Sequence, residues 1–114
     1  MHYLSETIIS ASDATSQTSI VVDSNQLISA SFQAHFGDAT AVGTLQIQGS
    51  NDLPSNISAP TTWTNLPNAS AAVTAGAAVL IVVPTLSVRW VRAVYTSTTP
   101  GSTTIIVNIF AQYP

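Results

Sequence analysis

The chain has 114 residues, of which only 6% are charged: two Arg, no Lys and five acidic residues give a formal net charge of -3. So few cations cannot neutralise a run of phosphates, which excludes nucleic-acid binding by counterion release and adhesion of a basic helix to a membrane surface. Because the net charge is low and β-branched residues are frequent, we expect a folded chain, and its length fits one domain.

The N-terminal part of the chain gives only a weak periodic pattern. Residues 10–18 are small and polar and cannot supply a core, so residues 1–18 are expected to form an extended arm that orders on a neighbour. The chain begins without the basic segment and apolar run of a secretory signal, and its longest apolar stretch, 77–83, is too short to span a bilayer. We expect synthesis in the host cytoplasm and no membrane partner.

Two segments in the first half alternate between apolar and polar side chains, which indicates half-buried strands. In the segment 42–49, Leu45 and Ile47 share one face. A β-branched run at 20–22 and the segment 63–66 predict shorter strands, the second ended by Pro67. In the segment 26–36, the residues predicted to face inward are Ile28, Ala30, Phe32, Ala34 and Phe36.

Three more strands are predicted in the second half. The segment 76–83 is apolar on both faces, so this strand is expected to be central or covered on both sides. The segment 88–96 is rich in β-branched and aromatic residues. The last strand, 103–112, places Ile106, Asn108 and Phe110 on one face and Ile105, Val107, Ile109 and Ala111 on the other.

No window of the sequence has a sustained helical period, and strands recur at roughly ten-residue spacing. The predicted fold class is therefore all-β: an antiparallel β-sandwich or jelly roll in a single domain, residues 19–114, preceded by the arm over residues 1–18.

The sequence offers little catalytic chemistry. There is no Cys, and His2 and His35 are the only natural general bases, neither within a known nucleophile motif. Asp38, Asn51 and Asp52 could supply oxygen ligands to Ca²⁺, but their spacing matches no calcium loop and such residues commonly form turns. We therefore expect no enzyme, no cofactor and no metal.

Arg89 and Arg92 flank Trp90 on one predicted strand, and two interpretations stay open. Aromatic faces stack on sugars and an Arg fork donates hydrogen bonds, so the group could line a shallow sugar-binding surface. Alternatively, Trp90 packs internally and the Arg side chains pair with acidic groups.

Three motifs together carry a family resemblance: Gly49-Ser50-Asn51-Asp52, then Trp63-Thr64-Asn65-Leu66, then Val88-Arg89-Trp90-Val91-Arg92. In this order they resemble small β-sandwich structural proteins of tailed-phage virions, and the same order occurs in discoidin-like jelly rolls. The resemblance covers about half of the chain. It implies a virion location and a role as a capsid decoration (cement) protein, or as a head or tail accessory subunit, that binds the major capsid protein or another virion protein.

Apolar residues on the second faces of two strands favour this role, because a second apolar face needs a partner. The predicted interface residues are Leu80, Val82, Ile106 and Phe110, and the predicted assembly is a homo-oligomer, taken as a trimer. The alternative function is a carbohydrate-binding (receptor-binding) module of a phage fibre or tail. In that case the stacking residues are Trp63, Trp90 and Tyr95, and the hydrogen-bond donor is Arg92.

Overall fold

A computed structural model of the chain describes residues 3–11, 16–24, 26–36, 42–52, 60–73, 78–99 and 104–113. These residues contain nine strands and no helix, which confirms the all-β prediction. Within them there is consequently no helical segment with the length and apolar character that crossing a membrane requires. In chain order the strands are β1 (Tyr3–Ala11), β2 (Gln17–Thr18), β3 (Val22–Asp23), β4 (Ser29–Phe36), β5 (Val42–Ser50), β6 (Thr64–Val73), β7 (Val79–Val83), β8 (Trp90–Thr99) and β9 (Ile105–Gln112).

The strands form two antiparallel sheets that pack face to face as a β-sandwich. Sheet A has the order β1-β9-β4-β7, and sheet B has the order β2-β8-β5-β6. Because β5 pairs along the length of β8, strands β2 and β3 pair with successive parts of the opposite edge of β8. The edges of the sandwich are therefore β1 and β7 in sheet A, and β6 and the short β2 and β3 in sheet B.

The core lies between the inner faces of the two sheets, as the alternating patterns predict. The residues that alternation groups on one face are buried for three β4 residues, two β5 residues and four β9 residues: Ala30, Phe32, Ala34, Leu45, Ile47, Ile105, Val107, Ile109 and Ala111. The prediction is wrong for Ile28, which is 45% exposed because it precedes β4. The side chain of Phe36 lies outside the described part of the chain.

Half of the predicted N-terminal arm, residues 3–11, is instead part of sheet A, and residues 17–18 form β2 of sheet B. Strand β1 pairs with β9 at eight positions from Tyr3 to Ala11. A β-bulge between Thr7 and Ile9 interrupts the alternation, so Ile8 and Ile9 are both buried in the core. The weak periodicity of this segment thus reflects a bulge rather than an unstructured arm. Residues 12–15 of the predicted arm lie outside the described residues.

Strand β6 continues through Pro67, where the sequence predicts its end. Its register against β5 shifts between Gln46 and Gln48, so that extra β6 residues bulge out of the ladder, and Asn68 adopts a left-handed φ of 56°. The amide Nε2 of Gln46 donates to the carbonyls of Leu66 and Ala69 at 3.4 and 3.2 Å. A Pro is tolerated here because β6 is an edge strand with a bulge.

The second half of the predicted strand 76–83 is β7, and it is not central. It ends the order of sheet A, with β4 as its strand partner. Its alternate residues Ile81 and Val83 are buried, whereas Leu80 and Val82 point outward and are exposed. A continuous apolar run does not separate a central strand from an edge strand, because both carry apolar inward residues.

Gly43 in β5 makes room for the ring of Tyr95 in the core. Tyr95 is fully buried, and a Cβ on Gly43 would lie 2.6 Å from its Cε1 atom and 2.4 Å from the carbonyl oxygen of Thr96. Real Cβ contacts of this length do not occur, so any larger residue must displace either the ring or the backbone of β8.

Replacing Gly43→Ala is expected to lower the free energy of unfolding by about 1–3 kcal/mol, because overpacking forces such displacements. Urea unfolding followed by tryptophan fluorescence measures this change. Thr44→Ala, at the adjacent exposed position, is the matched control and should change stability by less than about 0.5 kcal/mol. Equal effects of the two substitutions would contradict the packing of Gly43 against Tyr95.

Candidate functional site

The outer face of sheet A carries a group of exposed apolar side chains. The side chain of Leu80 is 63% exposed, that of Val82 57%, that of Tyr3 54% and that of Phe110 50%. Ile106 lies on the same face and is half-buried. We call these five residues the apolar face. It contains all four interface residues predicted from the sequence, and the structure places them on one surface; their role as an interface stays a prediction.

The strand registers set the spacing of the apolar face. Phe110 of β9 is aligned with Ser5 of β1 and Ser31 of β4, and Ser31 is in turn aligned with Val82 of β7. The small serines therefore separate Phe110 from the next large side chain. Depressions of about 430 and 330 Å³ flank Phe110, and both are lined in part by Ser31.

Contacts within sheet A hold the apolar face in place. The ring of Tyr3 stacks on that of Phe110, with centroids 5.0 Å apart and an interplanar angle of 21°. The Thr7 hydroxyl donates to Oδ1 of Asn108 at 2.6 Å and so ties β1 to β9 on the same side. The Tyr3 and Phe110 rings thus already contact each other within the fold, which lowers the side-chain entropy that their burial by a partner would cost.

Charge is sparse on sheet A. Of the Arg, Asp and Glu residues that the structure describes, only Glu6 belongs to this sheet. Glu6 is aligned with the buried Ile109, on the inward side of β1, and is exposed because β1 is an edge strand. An exposed surface that is apolar and poor in charge has the composition of the centre of a protein–protein interface.

Trp63 and Arg92, predicted as sugar contacts, meet on sheet B and contact each other. The guanidinium carbon of Arg92 lies 4.3 Å from the centroid of the Trp63 ring, a cation–π contact. The Nε of Arg92 donates to Oε1 of Gln48 at 2.9 Å, and Nε2 of Gln48 donates to Oδ1 of Asn65 at 2.9 Å. Partial burial lowers the pKa of Arg92. One face of Trp63 is therefore already covered by the chain's own cation.

Trp90 is also engaged within the fold. Its indole N–H donates to the carbonyl of Asp52 at 3.0 Å, and the guanidinium carbon of Arg89 lies 5.1 Å from the centroid of its ring. Tyr95 is fully buried because it faces the core with Val91 and Ala93. The prediction of Tyr95 as a sugar contact is wrong, since an external ligand cannot reach its ring.

The Gly49–Asp52 motif has a structural role at the end of β5. Oδ1 of Asn51 accepts the backbone N–H of Arg89 at 2.9 Å. Oδ2 of Asp52 accepts the backbone N–H groups of Thr61 and Thr62 at 2.7 and 2.8 Å. These bonds fasten the chain before β6 and the chain before β8 to the end of β5, and so position Trp63 and Trp90.

The oxygen atoms considered as calcium ligands are used by these backbone bonds. Because the N–H groups of Thr62 and Thr61 donate to it, the carboxyl of Asp52 has a pKa below its ordinary value. Asp38 lies outside the described residues. Among the residues that the structure does describe, no group of three or more acidic or His side chains is placed to hold a metal ion.

Of the two histidines considered as general bases, the structure describes one. His35 is exposed on the outer face of sheet A, aligned with Ile106 of β9, and His2 lies outside the described residues.

Tyr3 is the member of the apolar face that the sequence did not predict. The signal that would have found it is the alternation of Tyr3, Ser5 and Thr7, which is short and is broken by the bulge.

The fold is shared with two proteins of known structure. No protein-family model and no curated protein sequence gives a significant match. Among solved structures, the PBSX exported protein XepA matches 97% of this chain with a TM-score of 0.71 at 19% identity, and this chain covers 37% of XepA. The SPBc2 prophage-derived protein YomS matches 96% of this chain with a TM-score of 0.58 at 7% identity, and 92% of YomS is covered. At these identities the likeness shows a common fold. This chain spans nearly the whole length of YomS but little more than a third of the length of XepA.

Replacing Asp52→Asn tests the bonds at the end of β5. The lowered pKa of Asp52 means that its carboxylate stabilises the fold above the ordinary carboxyl pKa of about 4, and that this contribution is lost as the pH falls through the lowered value. At pH 7 the variant should therefore have the lower thermal midpoint, and the difference between the two midpoints should shrink as the pH falls from about 4 through the lowered pKa. Glu6→Gln, at a distant carboxylate, is the control. An unchanged midpoint difference across this pH range would contradict the assigned role of Asp52.

Proposed function

We propose that the chain is a structural protein associated with a tailed-phage virion, and that it acts by self-association and by binding to the particle. The observation that carries this proposal is the apolar face of sheet A. Side chains such as Leu80 and Phe110 expose half or more of their surface there, on a sheet with a single described Arg, Asp or Glu residue. Burying such a surface releases about 25 cal/mol per Å² of apolar area.

The structural neighbours support a phage origin. XepA is described as a PBSX exported protein, and YomS as a protein derived from the prophage SPBc2. The likeness to YomS extends over nearly the whole of both chains, so the fold forms almost all of YomS and a portion of the longer XepA. A module used in both ways is consistent with a structural or accessory part of a phage product.

Within this class we favour a decoration (cement) subunit on the head, or a head or tail accessory subunit. Such a subunit needs a surface that binds a neighbour rather than a site that transforms a substrate, and the apolar face meets that need without any catalytic group. Its partners would be further copies of the chain and the major capsid protein or another virion protein. Because few charges are present to be screened, binding should be insensitive to moderate salt.

Carbohydrate binding is the less favoured function. A sugar stacks on an accessible aromatic face, and Trp63 and Trp90 are each within cation–π distance of an Arg of the same chain. The N–H groups of both indoles already donate to backbone carbonyls, and Tyr95 is buried. Stacking of a sugar on the face of Trp63 that Arg92 covers would therefore require Arg92 to leave the ring.

Co-sedimentation with virions tests the proposal. The particles would come from the phage that encodes the chain, prepared without the chain's gene, and would be mixed with the wild type or with Phe110→Ser. Because Phe110 is half exposed and central to the apolar face, we expect the substitution to weaken particle binding by about tenfold. Thermal stability should change little, since the substituted ring lies outside the core.

Thr44→Ser, at an exposed position on sheet B, is the matched control and should bind like the wild type. Absence of wild-type binding to the particles would contradict the virion role. Equal binding of Phe110→Ser and the wild type would show that another surface makes the contact. A glycan array probed with the wild type and Trp63→Ala identifies the alternative, for which only the wild type should score.

A further inference from the structure

We propose that β7 is an open sheet edge that pairs, antiparallel, with β7 of a second copy across a two-fold axis at Ile81. This inference rests on the self-association proposed above and assigns its geometry. Strand β7 ends the order of sheet A, so no described strand is hydrogen-bonded to its edge away from β4, and β6 of sheet B lies near β7 without joining its sheet. Unpaired backbone N–H and C=O groups on such an edge are a template for another strand.

The other edge of sheet A is protected against strand addition. Strand β1 contains the bulge between Thr7 and Ile9, which breaks the regular spacing of its backbone groups. It also carries Glu6 at an inward register position, and an added strand would bury that charge. A bulge and an inward-pointing charge are two of the devices by which natural proteins block sheet edges.

The edges of sheet B are protected in other ways. Strand β6 has Pro67, which lacks a backbone N–H, and Asn68 with its left-handed φ, both within a bulge. The opposite edge is divided between β2 and β3, which have two residues each. Such short strands offer too few consecutive backbone groups to pair with another chain.

Strand β7 carries none of these devices. Its residues pair with β4 at five consecutive positions without a shift in register, from Ala34 opposite Val79 to Ala30 opposite Val83. Its sequence, Val79-Leu80-Ile81-Val82-Val83, contains no Pro, Gly or charged residue. An edge of this composition in a protein that otherwise blocks its edges indicates an edge that is used.

The sequence of β7 fits a second copy of itself. With the two-fold axis at Ile81, Leu80 lies opposite Val82 of the second copy and Val79 lies opposite Val83 of the second copy. The side-chain alternation is kept, so outward residues meet outward residues and inward residues meet inward residues. Every cross-strand pair is aliphatic and no like charges meet, which is favourable in an antiparallel pair. Pro84 limits the pairing to these five residues, because it cannot donate to a ladder.

The pairing would join the two A sheets into one eight-stranded sheet with a continuous apolar face. Leu80 and Val82 of both copies would lie at its centre, with the two Phe110 rings on either side, and this doubled surface would face the particle. A two-fold operator gives dimers and even-numbered assemblies, and so replaces the trimer expected from the sequence.

A charge exchange across the two-fold axis tests the register. Leu80→Glu alone and Val82→Lys alone should each weaken self-association by about tenfold or more, because each sets a charge opposite an aliphatic side chain of the other copy. In the double variant each introduced carboxylate would face the introduced ammonium of the other copy, so association should recover and become sensitive to salt. Sedimentation equilibrium measures the mass and the dissociation constant. Thr44→Glu with Thr96→Lys, an aligned exposed pair on sheet B, is the matched control and should associate like the wild type.

The outcomes separate this inference from the proposed function. Recovery in the double variant, with a dimeric or other even mass, supports the edge pairing. An odd-numbered wild-type assembly, or a double variant as weak as the single ones, overturns it and leaves association through the apolar face standing. A monomeric wild type at millimolar concentration overturns both the pairing and self-association, while co-sedimentation judges particle binding independently. Circular dichroism is the folding control: because the substituted positions are exposed, the spectrum of each variant should match that of the wild type.

Discussion

The pleat of strand β9 determines both the core and the candidate interface. Each inward residue of β9, from Ile105 to Ala111, is buried between the sheets, and each of these positions forces its neighbour onto the outer face. Ile106 and Phe110 are therefore held outside by the same geometry that buries the residues on either side of them. Because β9 lies between β1 and β4, its register also sets where Tyr3 and Ser31 lie beside Phe110.

The two outer faces of the sandwich differ in chemistry. Sheet B presents polar side chains such as Gln46 and Gln48, and its tryptophans are engaged by hydrogen bonds and by the two Arg side chains of the chain. Sheet A presents the apolar face with little charge around it. The few charges of the sequence are thus unevenly placed: both Arg side chains contact Trp rings on the sheet B side, and Glu6 is the single described Arg, Asp or Glu residue of sheet A. Under the proposed function, this asymmetry favours the outer face of sheet A as the surface for a partner.

Period-two alternation correctly predicted the strands β4, β5 and β9 and which of their residues share a face. It did so because a strand with one buried face needs an apolar residue at every second position, and this pattern is visible within a few residues of sequence. The same rule separates Tyr95 from Arg92, three residues apart on opposite faces of β8, yet the aromatic content of the segment suggested one shared site. The pairing of β1 with β9 escaped prediction, since Tyr3 and Gln112 are far apart in sequence and a bulge disrupts the pattern. The edge position of β7 escaped for a related reason: an apolar run does not specify its neighbours.

The proposal that the outer face of sheet A is a contact surface is tested most directly by hydroxyl-radical footprinting of the protein bound to virions. Aromatic side chains are modified where solvent reaches them, and mass spectrometry reads each position separately. We expect Tyr3 and Phe110 to lose reactivity between the dilute and the particle-bound protein, whereas Trp63 and Trp90 keep theirs. Protection of the two tryptophans, with Phe110 still as reactive as in the dilute chain, would contradict it.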